Sequence, residues 1–162
     1  MRVLIVSDTH NCTNQLLALV ERCGSIDAVI HAGDGENDIA ALRAARPDLP
    51  LYAVTGNCDF RHGEEPELLR FTFGGVKFFL AHGHRFGVKY GYESFIEAAQ
   101  QAGADVAVFG HTHRPVCERI GPMWLVNPGA LALGCFGYVQ AAFADITPSG
   151  VLCHAEKLSY KR

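Results

Sequence analysis

The chain has 162 residues, 49% of them hydrophobic and 19% charged, which suffices for one folded domain with a real core and excludes a disordered polypeptide. A formal net charge of −3 gives no general attraction to nucleic acid or to an anionic membrane, so any affinity for phosphate must be built locally. No run approaches the roughly 20 apolar residues of a membrane-spanning helix. The six cysteines are scattered without a C-x-x-C pair, as expected of a reduced, cytoplasmic chain.

The opening MRVLIVSDTH has too short an apolar run for a secretory leader and reads as a strand over residues 3–7, continuous enough to be buried on both faces. Leu16, Leu17 and Val20 recur at helical spacing over residues 13–23, and Gly24 suits the stop. A second strand is expected over 28–33, a second helix over 38–46 closed by Pro47, and a third strand over 51–56. Strands alternating with helices imply parallel βαβ units. Next, LLRFTF and VKFFLAHG flank Gly74-Gly75 as a β-hairpin. A helix over 92–101 precedes a buried strand over 105–110, with shorter strands at 116–120, 124–127 and 138–146. A TPSG turn then leads into VLCHAEKL. No linker, repeat or low-complexity segment divides residues 1–162, so a single α/β domain is expected, with two sheets face to face and helices outside.

The polar residues collect at the ends of these strands, as Asp8-Thr-His10, Gly-Asp34, Gly-Asn57-Cys58-Asp59, His82-Gly-His84 and Gly-His111-Thr-His113. In open α/β sheets sites form beyond the carboxyl ends of strands, so the five loops should converge on one rim. Glycine before Asp34, Asn57 and His111 permits a sharp turn directly after the strand. Nitrogen and oxygen donors without thiolates suit borderline divalent metals such as manganese, iron, zinc or nickel. Two such ions about 3.5–4 Å apart would need one bridging carboxylate. GDGEND lacks the third glycine of a dinucleotide loop and sets Asp34 against a pyrophosphate. Read as a calcium loop, it puts Ile39 and Ala45 where glycine and glutamate are required. Neither H-E-x-x-H nor G-x-S-x-G occurs.

In this order, the clusters D-x-H, GD, GN, H and GHTH resemble the calcineurin-like metallophosphoesterase family, directly over residues 8–113, with Asn127-Pro128-Gly129 similar to a later element. The GNCD and HGH forms and the small size are most similar to its compact bacterial and archaeal phosphodiesterase branch, to which the retromer subunit vacuolar sorting protein 29 is also related. The resemblance implies a four-layer αββα sandwich of two mixed sheets with flanking helices. It also implies a site for two divalent ions, manganese first, with iron, nickel, cobalt or zinc as alternatives. Asp8, His10 and His113 would hold one ion, Asn57, His82 and His111 the other, and Asp34 would bridge them. The implied reaction is hydrolysis of a small phosphoester, with hydroxide from a shared water attacking in line. A protein-interaction scaffold on the same fold is the alternative.

Asp34, Asn57 and His84 are the catalytic candidates, and Asn57, Cys58 and Arg85 the substrate contacts. The wider family has histidine where Cys58 stands, a candidate acid for the leaving group. A thiol cannot imitate imidazolium, so the substitution points to diesters, with His84 as a substitute donor. Cys58 itself reads as a small residue lining the pocket rather than a nucleophile, because an acid follows it directly, or a soft-metal ligand. Arg61 and Lys89 also lie in loops after ligand clusters. His31 reads as a histidine that supports the ligands or is simply packed, His62 and His154 as surface residues. The aromatic stretch FFLAHGHRFGVKYGYESF offers core, or a face for a homo-oligomer.

Overall fold

The computed structural model describes residues 1–60, 65–132 and 138–159. Arg61, His62 and Cys135 lie outside them.

The first half alternates as expected: β1 (Arg2–Val6), α1 (Thr13–Arg22), β2 (Ala28–His31), α2 (Glu36–Ala45) and β3 (Leu51–Ala53). The second half holds the hairpin β4 (Leu68–Phe73) and β5 (Val76–Ala81), a 3-10 turn (His84–Phe86), α3 (Glu93–Gln101), β6 (Val106–Val108), β7 (Val116–Ile120), β8 (Met123–Asn127), β9 (Tyr138–Thr147) and β10 (Gly150–Ser159). One sheet has the order β10-β9-β1-β2-β3 and the other β4-β5-β6-β8-β7. Both are mixed: β1, β2 and β3 run parallel, as do β5, β6 and β8, while β9, β10, β4 and β7 pair antiparallel.

Side chains alternate across each strand, and the central strands are covered on both faces. Val3 and Ile5 of β1 and Ala28 and Ile30 of β2 point between the sheets, where they meet Phe78, Leu80, Val106, Val108 and Val126. Leu4, Val6 and Val29 point the other way, against Leu16, Leu19 and Val20 of α1 and Leu42 of α2. Phe79, Ala107 and Phe109 pack outward against Phe95 and Ala99 of α3. The layers are therefore α1 and α2, sheet, sheet, α3.

Several element bounds differ from expectation, and at two of them, beside the site, the physical cause is visible. α2 starts at Glu36 rather than residue 38, because its first backbone N–H groups are capped by the distant Asp59 carboxylate. β3 ends at Ala53 rather than residue 56, because the Thr55 N–H leaves the ladder for Pro66 O, turning the chain toward the rim.

Candidate functional site

Where the central strands end, the backbone twists sharply. Among the described residues, the non-glycine residues at positive φ are Asp8 (53°), His10 (43°), Asn11 (64°), Asp34 (58°), His111 (65°) and His113 (58°). All but Asn11 belong to the ligand set implied by the resemblance. The left-handed conformation costs roughly 1–2 kcal/mol per residue, and its concentration on one rim marks a place where side-chain direction outweighs backbone comfort. Neighbouring glycines make room. A Cβ on Gly110 would run into Ser7 Oγ and stand 2.7 Å from Asp8 Oδ2, and one on Gly56 would run into the Asp34 carboxylate.

One group of donors gathers on Asp8, which is fully buried. Its Oδ2 accepts the Ser7 hydroxyl at 2.6 Å and the His111 backbone N–H at 3.0 Å. Its buried Oδ1 has no hydrogen-bond partner. His113 Nε2 lies 3.0 Å from that oxygen without hydrogen-bond alignment, and His10 Nε2 lies 4.0 Å away. These ligand atoms of Asp8, His10 and His113 all fall within 4.8 Å of one another. A buried carboxylate oxygen without a hydrogen-bond partner, faced by two imidazole nitrogens, is what a cation site requires.

A second group gathers on His82, whose side chain is wholly buried. Its Nδ1 lies 2.7 Å from Ala32 O, a carbonyl that can only accept, so the proton sits on Nδ1 and the Nε2 lone pair faces the cleft. Nε2 meets two more acceptors, Asn57 Oδ1 at 3.1 Å and Asp34 Oδ2 at 3.4 Å. The His111 ring centroid stands 5.0 Å from that of His82. Asp34 Oδ2 is also 3.9 Å from His10 Nε2, so this buried carboxylate stands between the two groups. Its other oxygen is held by the Cys58 N–H at 2.8 Å. This set of nitrogen and oxygen donors around buried carboxylates fits divalent metal.

The electrostatics agree. Burial opposes charge on Asp8, yet His113, His82 and the Ser7 hydroxyl hold its carboxyl below the ordinary value. Burial likewise opposes charge on Asp34, but His82 and the Cys58 N–H hold it well below the usual carboxylate range. Burial works against a charged His82, but Asp34 and Asp8 raise its pKa, and Asp8 raises that of His113. His111 falls to about 4, through lost hydration and then the charges of His82 and Lys89.

His84, on the 3-10 turn, has its ring centroid 5.4 Å from that of His82 and 6.1 Å from that of His111. Desolvation, then the charges of His82 and Arg85, lower its pKa. Cys58 is exposed, with Sγ 3.3 Å from Asn57 Nδ2 and within 4.8 Å of ligand atoms of His10 and Asp34. Desolvation and then Asp34 push the thiol pKa up, which suits neither a nucleophile nor a soft-metal ligand. Arg85 is ion-paired with Glu67, and Lys89 is exposed. His154 sits on β10, stacked on Phe143 and 3.0 Å from Glu156.

Three residues outside the predicted ligand, catalytic and substrate set hold the loops. The Asp59 carboxylate accepts four backbone N–H groups, from Asp34 (2.9 Å) and Gly56 (2.7 Å) on one oxygen and Gly35 (2.8 Å) and Glu36 (3.0 Å) on the other. Buried Asn127 donates to Gly110 O at 2.8 Å and Thr112 Oγ1 at 3.0 Å, and accepts the Gly129 N–H at 2.9 Å, which fixes the loop bearing His111 and His113. His31 is buried; its Nδ1 accepts the Gly33 N–H at 3.2 Å, so its Nε2–H donates to Thr9 Oγ1 at 3.0 Å. The acid after Asn57-Cys58 and the Asn-Pro-Gly turn were visible signals, but their bonding partners were not.

A family model described as "Calcineurin-like phosphoesterase superfamily domain" matches residues 1–148. The probable metallophosphoesterase YsnB of Bacillus subtilis is 38% identical over 135 residues, covering 82% of this chain and 76% of that protein. Phosphodiesterase MJ0936 of Methanocaldococcus jannaschii is 27% identical over 177 residues, covering 99% and 97%. Among solved structures, a predicted phosphoesterase from Streptococcus pneumoniae superposes with a TM-score of 0.76 at 24% identity, over 96% of this chain and 97% of that one. The zinc complex of Vps29 from Entamoeba histolytica gives 0.72 at 21%, over 97% and 99%. These two likenesses establish the fold.

Proposed function

The chain belongs to the calcineurin-like phosphoesterase superfamily, and from that premise we propose a metal-dependent phosphodiesterase that holds two divalent ions and hydrolyses a small phosphoester. The observation that supports this reading best is the pair of lone-pair clusters meeting at the buried Asp34 carboxylate. Asp8, His10 and His113 would hold one ion, Asn57, His82 and His111 the other, and Asp34 both. An oxygen and nitrogen donor set free of thiolate suits manganese, with iron, nickel, cobalt or zinc as alternatives. When bound, the ions supply Lewis-acid charge for phosphate oxygens and make water a nucleophile near neutral pH.

The chain's own residues shape what can react. Asn57 offers an oxygen without adding negative charge where an anionic phosphate must sit. Asp59 and Asn127 hold the two ligand loops in register, so the donors need not reorganise during reaction. His84 stands beside His82 and His111, where desolvation and then the charges of His82 and Arg85 lower its pKa and disfavour the imidazolium form. A neutral imidazole donates a hydrogen bond to a leaving oxygen yet is a weak acid, and the Cys58 thiol is weaker still as a donor. The site therefore favours diesters with competent leaving groups over monoesters of poor ones. The scattered thiols, Cys153 buried among them, agree with a reducing, cytoplasmic setting.

The test is hydrolysis of bis(p-nitrophenyl) phosphate and p-nitrophenyl phosphate by metal-stripped protein reloaded with manganese, nickel, cobalt, iron or zinc. Turnover should require metal, favour the diester by about tenfold or more, and fall by roughly 10²-fold or more in Asp34→Asn. Failure of both esters with every metal would leave the interaction scaffold as the better reading.

A further inference from the structure

Beside the metal ligands lies a recess of about 120 Å³, lined among others by His10, Asn11, Asp34, Asn37, Cys58 and Phe60. Its size suits one arm of a substrate rather than a whole drug-sized ligand, for which pockets run to roughly 300–1,000 Å³. Two features of its wall are specific. Phe60 is 80% exposed, and among the exposed large hydrophobic side chains of the described residues it is the one that lines this recess. Its backbone is fixed nonetheless: the Phe60 N–H donates to Glu36 Oε2 at 2.8 Å, and the preceding Asp59 is clamped by four backbone N–H groups. A ring left in water at a held position, at the mouth of a polar site, is a platform in search of a flat partner.

Two amides also line the recess. Asn37 Nδ2 donates to Asn11 Oδ1 at 2.9 Å, which orients both groups and leaves Asn11 Nδ2–H as a donor and Asn37 Oδ1 as an acceptor. Such a donor–acceptor pair matches the edge of a nucleobase. No lysine or arginine is among the described lining residues, so the recess offers no counter-charge to an arm bearing a phosphate of its own.

Resting on the phosphoesterase reading above, we propose that this recess selects the ester arm of the substrate, and that the arm is an uncharged, flat heteroaromatic ring stacked on Phe60 and read at its edge by Asn11 and Asn37, as in a nucleoside phosphodiester. Phe60 is then the specificity-determining residue.

Binding and turnover test the proposal separately. Calorimetry on zinc-loaded protein compares adenosine 5′-monophosphate with methyl phosphate, and kinetics compares the p-nitrophenyl esters of thymidine 5′-phosphate and methyl phosphate, which share a leaving group. The nucleoside compound should be favoured on the order of tenfold in both assays, as stacking on one aromatic ring allows. Phe60→Ala should abolish that ratio, Phe60→Tyr preserve it, and Asn37→Ala reduce it. Equal affinities for the two phosphates in the unmodified protein, or an unchanged ratio in Phe60→Ala, overturn the proposal. Preferential binding without turnover of either ester would uphold the recess and defeat the phosphoesterase reading; turnover without preference would do the reverse.

Discussion

Replacing Asp59 by asparagine disturbs the site without altering any side chain assigned to the metals. The carboxylate receives four backbone N–H groups, from Asp34, Gly35, Glu36 and Gly56, at 2.7 to 3.0 Å. An amide keeps one oxygen, good for two of these bonds, and turns an NH2 group against the other two donors. A hydrogen bond to a charged group contributes roughly 1.5–3 kcal/mol. The half-buried position lets water compensate in part, so Asp59→Asn should cost about 2–4 kcal/mol in urea unfolding with chelator present. The same bonds set the loops that carry Asp34 and Asn57. Metal affinity measured by calorimetry should therefore fall roughly 10- to 100-fold, as for other residues that orient ligands. Stability within about 0.5 kcal/mol of the unmodified protein, with unchanged metal affinity, would refute the clamp. If activity alone were lost, Asp59 would instead be orienting a proton donor.

Other consequences follow from single contacts. His31 is buried and its pKa is lowered from 6.5 to about 4, so the unfolded chain binds more protons between those values. Stability should be complete above that window and decline by roughly 3 kcal/mol as pH falls through it, and His31→Gln should flatten this part of a urea-unfolding pH series. Gly110→Ala drives a methyl group into Ser7 and Asp8; it should cost about 1–3 kcal/mol and weaken metal binding, both readable in a melting series with and without manganese. Cys58→Ser should keep diesterase activity within about twofold, since the thiol is held protonated by desolvation and by Asp34; complete loss with metals still bound would make Cys58 essential.

Much of this was legible from residues 8 to 113, because ligands at strand ends are local features: the strand is an apolar run and the ligand is the polar residue that ends it. The two-sheet architecture followed from the βαβ units and the hairpin at Gly74-Gly75. What escaped is non-local. The start of α2 depends on a cap supplied by Asp59, more than 20 residues away, so no local Ser, Thr or Asp signal announced it. β3 stops early because Thr55 pairs with Pro66 in the following loop. Asn127 was visible only as the end of a strand and part of a family-like Asn-Pro-Gly element, but its side chain reaches Gly110 and Thr112. The positive φ angles of Asp8, His10, Asp34, His111 and His113 were equally hidden, since these residue types visit that region only when surroundings require it.

The central claim is that two cations share Asp34, and anomalous diffraction from crystals grown with manganese tests it most directly. The account predicts two anomalous peaks, one bounded by Asp8, His10 and His113, the other by Asn57, His82 and His111, with the Asp34 carboxylate contacting both. A single peak at saturating manganese, or a peak bound through Cys58 in place of Asn57, would contradict it.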